Sequence, residues 1–167
     1  MRNPTRQKLG EAEHFLELMK EHLDDDIRFS YYFSAFLSAA RSITFHLQKQ
    51  YSSYANFSDW YYPYQEEMKD DKELKYLHEL RVEEVHREPV VTGTTRTRSF
   101  TIDVIIGEPS AVTTETKKNT KPASAKIPPK VVKRFLPKFD RVNIIDFCEK
   151  QINKLEKIVK KCECTFK

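Results

Sequence analysis

Arg81 and His86, separated by Val82-Glu83-Glu84-Val85, are the pair in this chain whose types could do chemistry at a phosphodiester. Metal-free RNA cleavage needs one group to take the ribose 2′-OH proton and another to protonate the leaving oxygen. A histidine near its ordinary pKa can do either at neutral pH. The reaction also needs a fixed cation against the charge developing on phosphorus, and arginine's planar fork suits phosphate oxygens. A five-residue step along an unbroken helix turns about 140°. The two side chains therefore converge only if His86 sits on a frayed last turn or two chains share the site. The spacing alone is weak evidence, because such pairs recur by chance, most often on an exposed helix end.

The elements that must carry this pair are helical. Leu9, Ala12, Leu16, Met19 and Leu23 recur at three- and four-residue steps and predict a helix from about Lys8 to Leu23. After Asp24, Asp25 and Asp26, any of which can cap, Phe29, Phe33, Phe36, Ala40, Ile43, Leu47 and Tyr51 predict a long second helix. Tyr32, Leu37, Ala39 and Phe45 widen its apolar surface, which places it in the middle of a bundle. A third helix, capped by Asn56 or Ser58, carries Phe57, Trp60, Tyr61, Tyr64 and Met68, with Pro63 tolerable near its first turn. Asp70 and Glu73 resemble a capping box for a fourth, which carries Leu74, Leu77, Arg81 and Val85 on one face. Glu88 before Pro89 is pushed off helical angles, so this helix should stop near His86 or Arg87.

The texture then changes. Phe100, Ile102, Val104 and Ile106 alternate within a strand signal over 94–107, and 111–116 could pair with it through Gly107, Glu108 and Pro109. Residues 117–130 are poor in apolar side chains and read as a mobile loop, and 131–139 as a returning extended segment. A last helix, capped at Asp140, carries Ile145, Cys148, Ile152, Leu155, Val159 and Cys162 at helical spacing. The expected fold is mainly α: one domain over 1–167, a bundle of about five helices, with a small β-hairpin and basic loop inserted at 91–139.

Composition narrows the function. With 3 glycines in 167 residues, neither a Rossmann nor a Walker A phosphate loop is present. No apolar run approaches the roughly 20 residues that span a bilayer, and the first ten residues lack the apolar core of a secretion signal. The expectation is a soluble cytoplasmic protein that avoids membranes. Cys148, Cys162 and Cys164 form no paired zinc-ligand set, and His14, His22 and His78 show no ligand spacing, so no metal or cofactor is expected. Charge is uneven: 12 basic and 17 acidic side chains up to residue 90, 17 and 8 beyond it. Lys117, Lys118 and Lys121 open a stretch to Arg141 with nine basic residues and one acid, a candidate phosphate tether whose ordinary reading is a solvated segment. Arg41 could line the same cleft as Arg81, though an exposed side chain is the commoner outcome. Trp60, Tyr61, Tyr62 and Tyr64 could stack bases, but an aromatic cluster at a helix start is more often core.

Ordered similarity over four helices adds to this. Ala35-Phe36-Leu37-Ser38-Ala39-Ala40-Arg41-Ser42 with Leu47-Gln48-Lys49 resembles the central helix of bacterial HEPN-superfamily proteins. So do Phe57-Ser58-Asp59-Trp60-Tyr61 with Gln65 and Met68, then Leu80-Arg81 and Val85-His86, and the final helix with Phe147-Cys148-Glu149. The resemblance covers roughly 8–89 and 139–163 and implies an all-helical homodimer with the arginine–histidine motifs of two subunits facing each other. Catalytic members cleave RNA without metal, as toxins held by an antitoxin protein or as defence effectors. It implies that Arg81 stabilises phosphate charge and His86 transfers protons. The residue after the arginine is usually Asn, Asp or His; here it is Val82, which favours the alternative of a non-catalytic dimeric module binding a partner protein or nucleic acid.

Overall fold

Helix α2 (Asp26–Tyr51) is the element that most of the others share, and its start is set by Asp25. The Asp25 carboxylate accepts hydrogen bonds from the amides of Ile27 (3.1 Å) and Arg28 (2.9 Å), which otherwise have no partner at a helix start. The computed structural model describes residues 3–86, 92–97, 131–136 and 142–166. Among them α1 (Pro4–Glu21) and α5 (Ile144–Thr165) pack against α2, as does α4 (Lys72–His86), while α3 (Phe57–Asp70) lies on α4. Phe29, Phe33, Phe36, Ala40, Ile43 and Leu47 of α2 are at most 1% exposed. Burying each phenylalanine stabilises the fold by about 1.5–3 kcal/mol. Phe45, expected to widen the apolar surface, is 63% exposed instead.

Helix ends differ from the sequence expectation through their caps. α1 starts a turn earlier because Asn3 accepts from the Arg6 amide at 3.0 Å and Pro4 needs no amide partner. α4 is capped by Asp71, which accepts from the amides of Glu73 and Leu74, and Asp70 is the last residue of α3. Asn143, a few residues beyond Asp140, caps α5. Pro63 falls in the second turn of α3, past the first-turn position expected for it, where it has no amide to offer the Asp59 carbonyl one turn back. α4 is described as far as His86, and the Glu88-Pro89 step lies outside the described residues.

The β element is an antiparallel pair, β1 (Gly93–Thr97) with β2 (Val131–Phe135), in the register Gly93↔Phe135 to Thr97↔Val131. The partner of the first strand is thus the returning segment. The proposed turn at Gly107–Pro109 and the strand at 111–116 lie outside the described residues, as do Lys117, Lys118 and Lys121. Gly93 is required here, since a Cβ would collide with the Phe135 ring across the pair. Arg134 fastens the pair to the bundle. Only 2% exposed, it donates to the Leu23 carbonyl (2.8 Å), Asp26 (2.8 Å) and Thr94 (3.1 Å), and lies 4.3 Å over the Phe29 ring. The Arg134 bond, helped by Arg96, holds the Asp26 carboxyl below its ordinary range.

Candidate functional site

Three helices present polar residues to one another where a core would be apolar. Along α2, Leu37 and Ala40 are followed on the same face by Arg41, Thr44 and Gln48. Along α3 the corresponding stripe is Tyr61, Gln65, Met68 and Lys69, and along α4 it is Leu74, Lys75, Leu77 and His78. With Leu155 of α5 they enclose a cleft of about 600 Å³, within the usual range for small-molecule sites. Ala40 leaves space where a larger side chain would fill it.

The cleft is graded from floor to rim. Leu37, Ala40, Thr44, Tyr61, Leu77 and Leu155 are all buried, whereas Arg41, Lys69, Lys75 and His78 are exposed. Arg41 is held by its Nη1–H bond to Thr44 Oγ1 (3.0 Å), and the Thr44 hydroxyl donates back to the Arg41 carbonyl (3.2 Å). Gln48 Nε2 donates to the Thr44 carbonyl at 3.2 Å. Lys69 pairs with Glu66 of its own helix at 2.6 Å. Among the described residues, Arg41 and Lys75 make no ion pair, and no carboxylate lines the cleft. Such a lining favours an anion.

Tyr61 is the most unusual member. It is 3% exposed, and its ring lies parallel to Phe57, with centroids 5.3 Å apart. Its hydroxyl is buried, with no well-formed hydrogen bond to the protein. Burial raises the phenol above its ordinary pKa, opposed in part by the Gln48 side chain and the Arg41 charge. With Gln48 alongside but no well-formed bond to it, the buried hydroxyl is poorly satisfied, at a cost of up to about 1–3 kcal/mol.

The residues singled out from sequence do not all meet. Arg41 both lines the cleft and is exposed at its rim. Arg81 follows His78 by three residues on α4 and is half-buried, with its Nε buried and unpartnered, yet it is not among the cleft's lining residues. His86 is the final residue of α4; its ring lies outside the described residues. The helix is unbroken between them, so the two positions lie about 140° apart around its axis. Tyr62 is 59% exposed, while Trp60 and Tyr64 pack on the core. Burial pushes the thiols of Cys148 and Cys162 up, that of Cys162 to about 12, which leaves neither a nucleophilic thiolate at neutral pH. No group of three or more metal-ligating side chains gathers among the described residues.

Gln48, Gln65, Lys75 and His78 were missed as site residues. The signal was an apolar stripe that turns polar without leaving its face, as Leu37-Ala40 does at Arg41, Thr44 and Gln48. It is faint, because a polar residue on such a stripe ordinarily ends at solvent.

The family model for bacteriophage lambda protein ea47 matches residues 3–88. That is just over half of the chain. The protein belongs to the ea47 family. The matched segment runs from the cap of α1 past the end of α4, and contains Arg81, His86 and every cleft residue except Leu155. No curated protein and no solved structure matches the chain. Among the described residues, no helix is long and apolar enough to cross a membrane.

Proposed function

We propose that this ea47-family protein is an RNA-directed domain of the HEPN type. The observation that carries the reading is the cleft between α2, α3 and α4, whose rim bears Arg41, Lys69, Lys75 and His78 and whose lining bears no carboxylate. Cations around a partly apolar slot suit a phosphate-bearing chain. The cytoplasmic setting and RNA as partner come from the sequence reading.

In the catalytic form, Arg81 stabilises charge at phosphorus and His86 transfers the proton. Their divergence on one helix then requires a homodimer, in which a second subunit completes the pair. A toxin of this kind would be held by an antitoxin protein. Val82 favours a second reading, a dimeric binding module without catalysis. It is apolar and 38% exposed beside Arg81, so it supplies no hydrogen bond to orient the guanidinium.

Incubation of the purified protein with RNA and a chelator tests the first form. Products should carry 2′,3′-cyclic phosphate ends, and His86→Ala should abolish cutting with the helical circular dichroism unchanged. Cutting that survives His86→Ala, or that needs added metal, rejects the arginine–histidine mechanism. A dimer that binds RNA and never cuts it selects the binding module.

A further inference from the structure

We infer that the cleft between α2, α3 and α4 receives one unstacked base of single-stranded RNA, with the adjoining phosphate held at its rim. The inference rests on the RNA-directed reading and names the part of the substrate that enters. Three features converge on it.

The first is the Tyr61 hydroxyl, buried and without a well-formed bond to the protein in the wall of a cleft. Stacking on Phe57 fixes the ring, so the hydroxyl cannot swing out to solvent without breaking that contact. A ligand that brings a hydrogen-bonding group to it recovers the cost of its burial. The second is the company it keeps. The Gln48 and Gln65 amides line the same cleft, and each offers both a donor and an acceptor. Flat heterocycles with alternating donors and acceptors on one edge are read by such groups.

The third is the gradient of burial. The floor (Leu37, Ala40, Leu77) is apolar and at most 7% exposed, a surface for a ring face. Arg41 and Lys75, which make no ion pair among the described residues, stand exposed at the rim, where a phosphate attached to that ring would lie. An apolar slot, a polar edge and an outer cation select a nucleotide over a plain anion. A base within a duplex presents neither its face nor its pairing edge, so the strand must be single.

The test is fluorescence anisotropy with the full chain, chelator present, and three labelled RNAs of one length: an octamer of mixed sequence, the same octamer with a central run of abasic sites, and its duplex. The intact single strand should bind at least tenfold tighter than the duplex or the abasic strand. Tyr61→Phe should weaken the intact strand about five- to tenfold, the order expected for one lost hydrogen bond, and leave the abasic strand unchanged. Arg41→Gln with Lys75→Gln should weaken both strands alike and flatten the salt dependence by about 0.7 per lost contact. Tyr61→Phe keeps the ring, and its melting curve checks that it folds. Equal affinity for strand and duplex, or a Tyr61→Phe effect of equal size on intact and abasic RNA, overturns the base pocket while RNA binding stands. Failure of all three RNAs to bind overturns the RNA-directed reading with it.

Discussion

Basic side chains stand on two sides of α4, and the two sets are built on opposite principles. On the α5 side, Lys150 and Lys154 are neutralised. Lys150 pairs with Glu73 (2.6 Å), and Lys154 bridges Asp71 (2.5 Å) and Glu73 (2.8 Å). The Lys150 and Lys154 bonds hold the Glu73 carboxyl at about 2, against an ordinary 4.5. On the cleft side, Arg41 and Lys75 face space lined by no carboxylate among the described residues, beside a Tyr61 hydroxyl with no well-formed bond. Charge that joins helices is matched within the chain, whereas the Arg41 and Lys75 charges at the cleft meet no carboxylate among the described residues. Along α2 itself, Phe33 and Phe36 are closed into the core, while Arg41 and Gln48 stand at the cleft.

The comparison breaks most visibly on α2 itself. Phe36→Ala, on the packed face, should cost about 3–5 kcal/mol in denaturant unfolding, through lost burial and the cavity left behind. Arg41→Ala, on the cleft face, should change stability by no more than about 0.5 kcal/mol and be felt in RNA affinity. A comparable loss of stability at both positions would make the cleft an ordinary part of the core.

Arg134 sharpens it from the paired side. Replacing it with methionine removes three hydrogen bonds and the ion pair to Asp26, and should cost about 2–3 kcal/mol. Amide exchange should accelerate first in Gly93–Thr97 and Val131–Phe135, which it ties to the bundle. Uniform acceleration across all elements would assign Arg134 to the global core.

Glu73→Gln should cost about 1 kcal/mol at neutral pH, since the pairs it loses are partly exposed. The folded carboxyl lies below its ordinary value, so its contribution is complete above about 4.5 and disappears as pH falls towards about 2. The gap between wild type and Glu73→Gln should close over that window in urea titrations. A constant gap would place the effect in packing.

The smallest change has the opposite sign. Tyr61→Phe deletes a hydroxyl that finds no well-formed bond in the protein, and should stabilise by up to about 1 kcal/mol. A drop in melting temperature would show that the hydroxyl is structurally engaged.

Much of the helical frame was legible because local chemistry suffices for it. The stripes through Leu9–Leu23, Phe29–Tyr51 and Ile145–Cys162 specify period and face, and Asp25 specifies the start of α2. Caps were less legible where two candidates compete, as at Asp70 and Asp71. The choice there depends on which carboxylate the chain turns towards the free amides of α4, and Lys154 from α5 also draws Asp71. Of the site, Arg41 was legible as a cleft candidate, and the other polar lining residues were not.

The five helices, their apolar faces apart from Phe45, the excess of basic residues beyond residue 90 and the order of Arg81 and His86 on one helix all follow from local sequence. Periodicity and charge are properties of neighbours along the chain, and neighbours are what a sequence lists. Tertiary structure alone decided which partly polar stripes face each other, and so made a cleft from residues 37–48, 61–69 and 74–78. It also paired β1 with a strand more than thirty residues on, and took Arg134 out of the basic run to bury it against Asp26 and Phe29. The physical reason is that solvation of a side chain depends on everything packed around it. An arginine at 2% exposure and an arginine at a cleft rim are the same letter until the helices close.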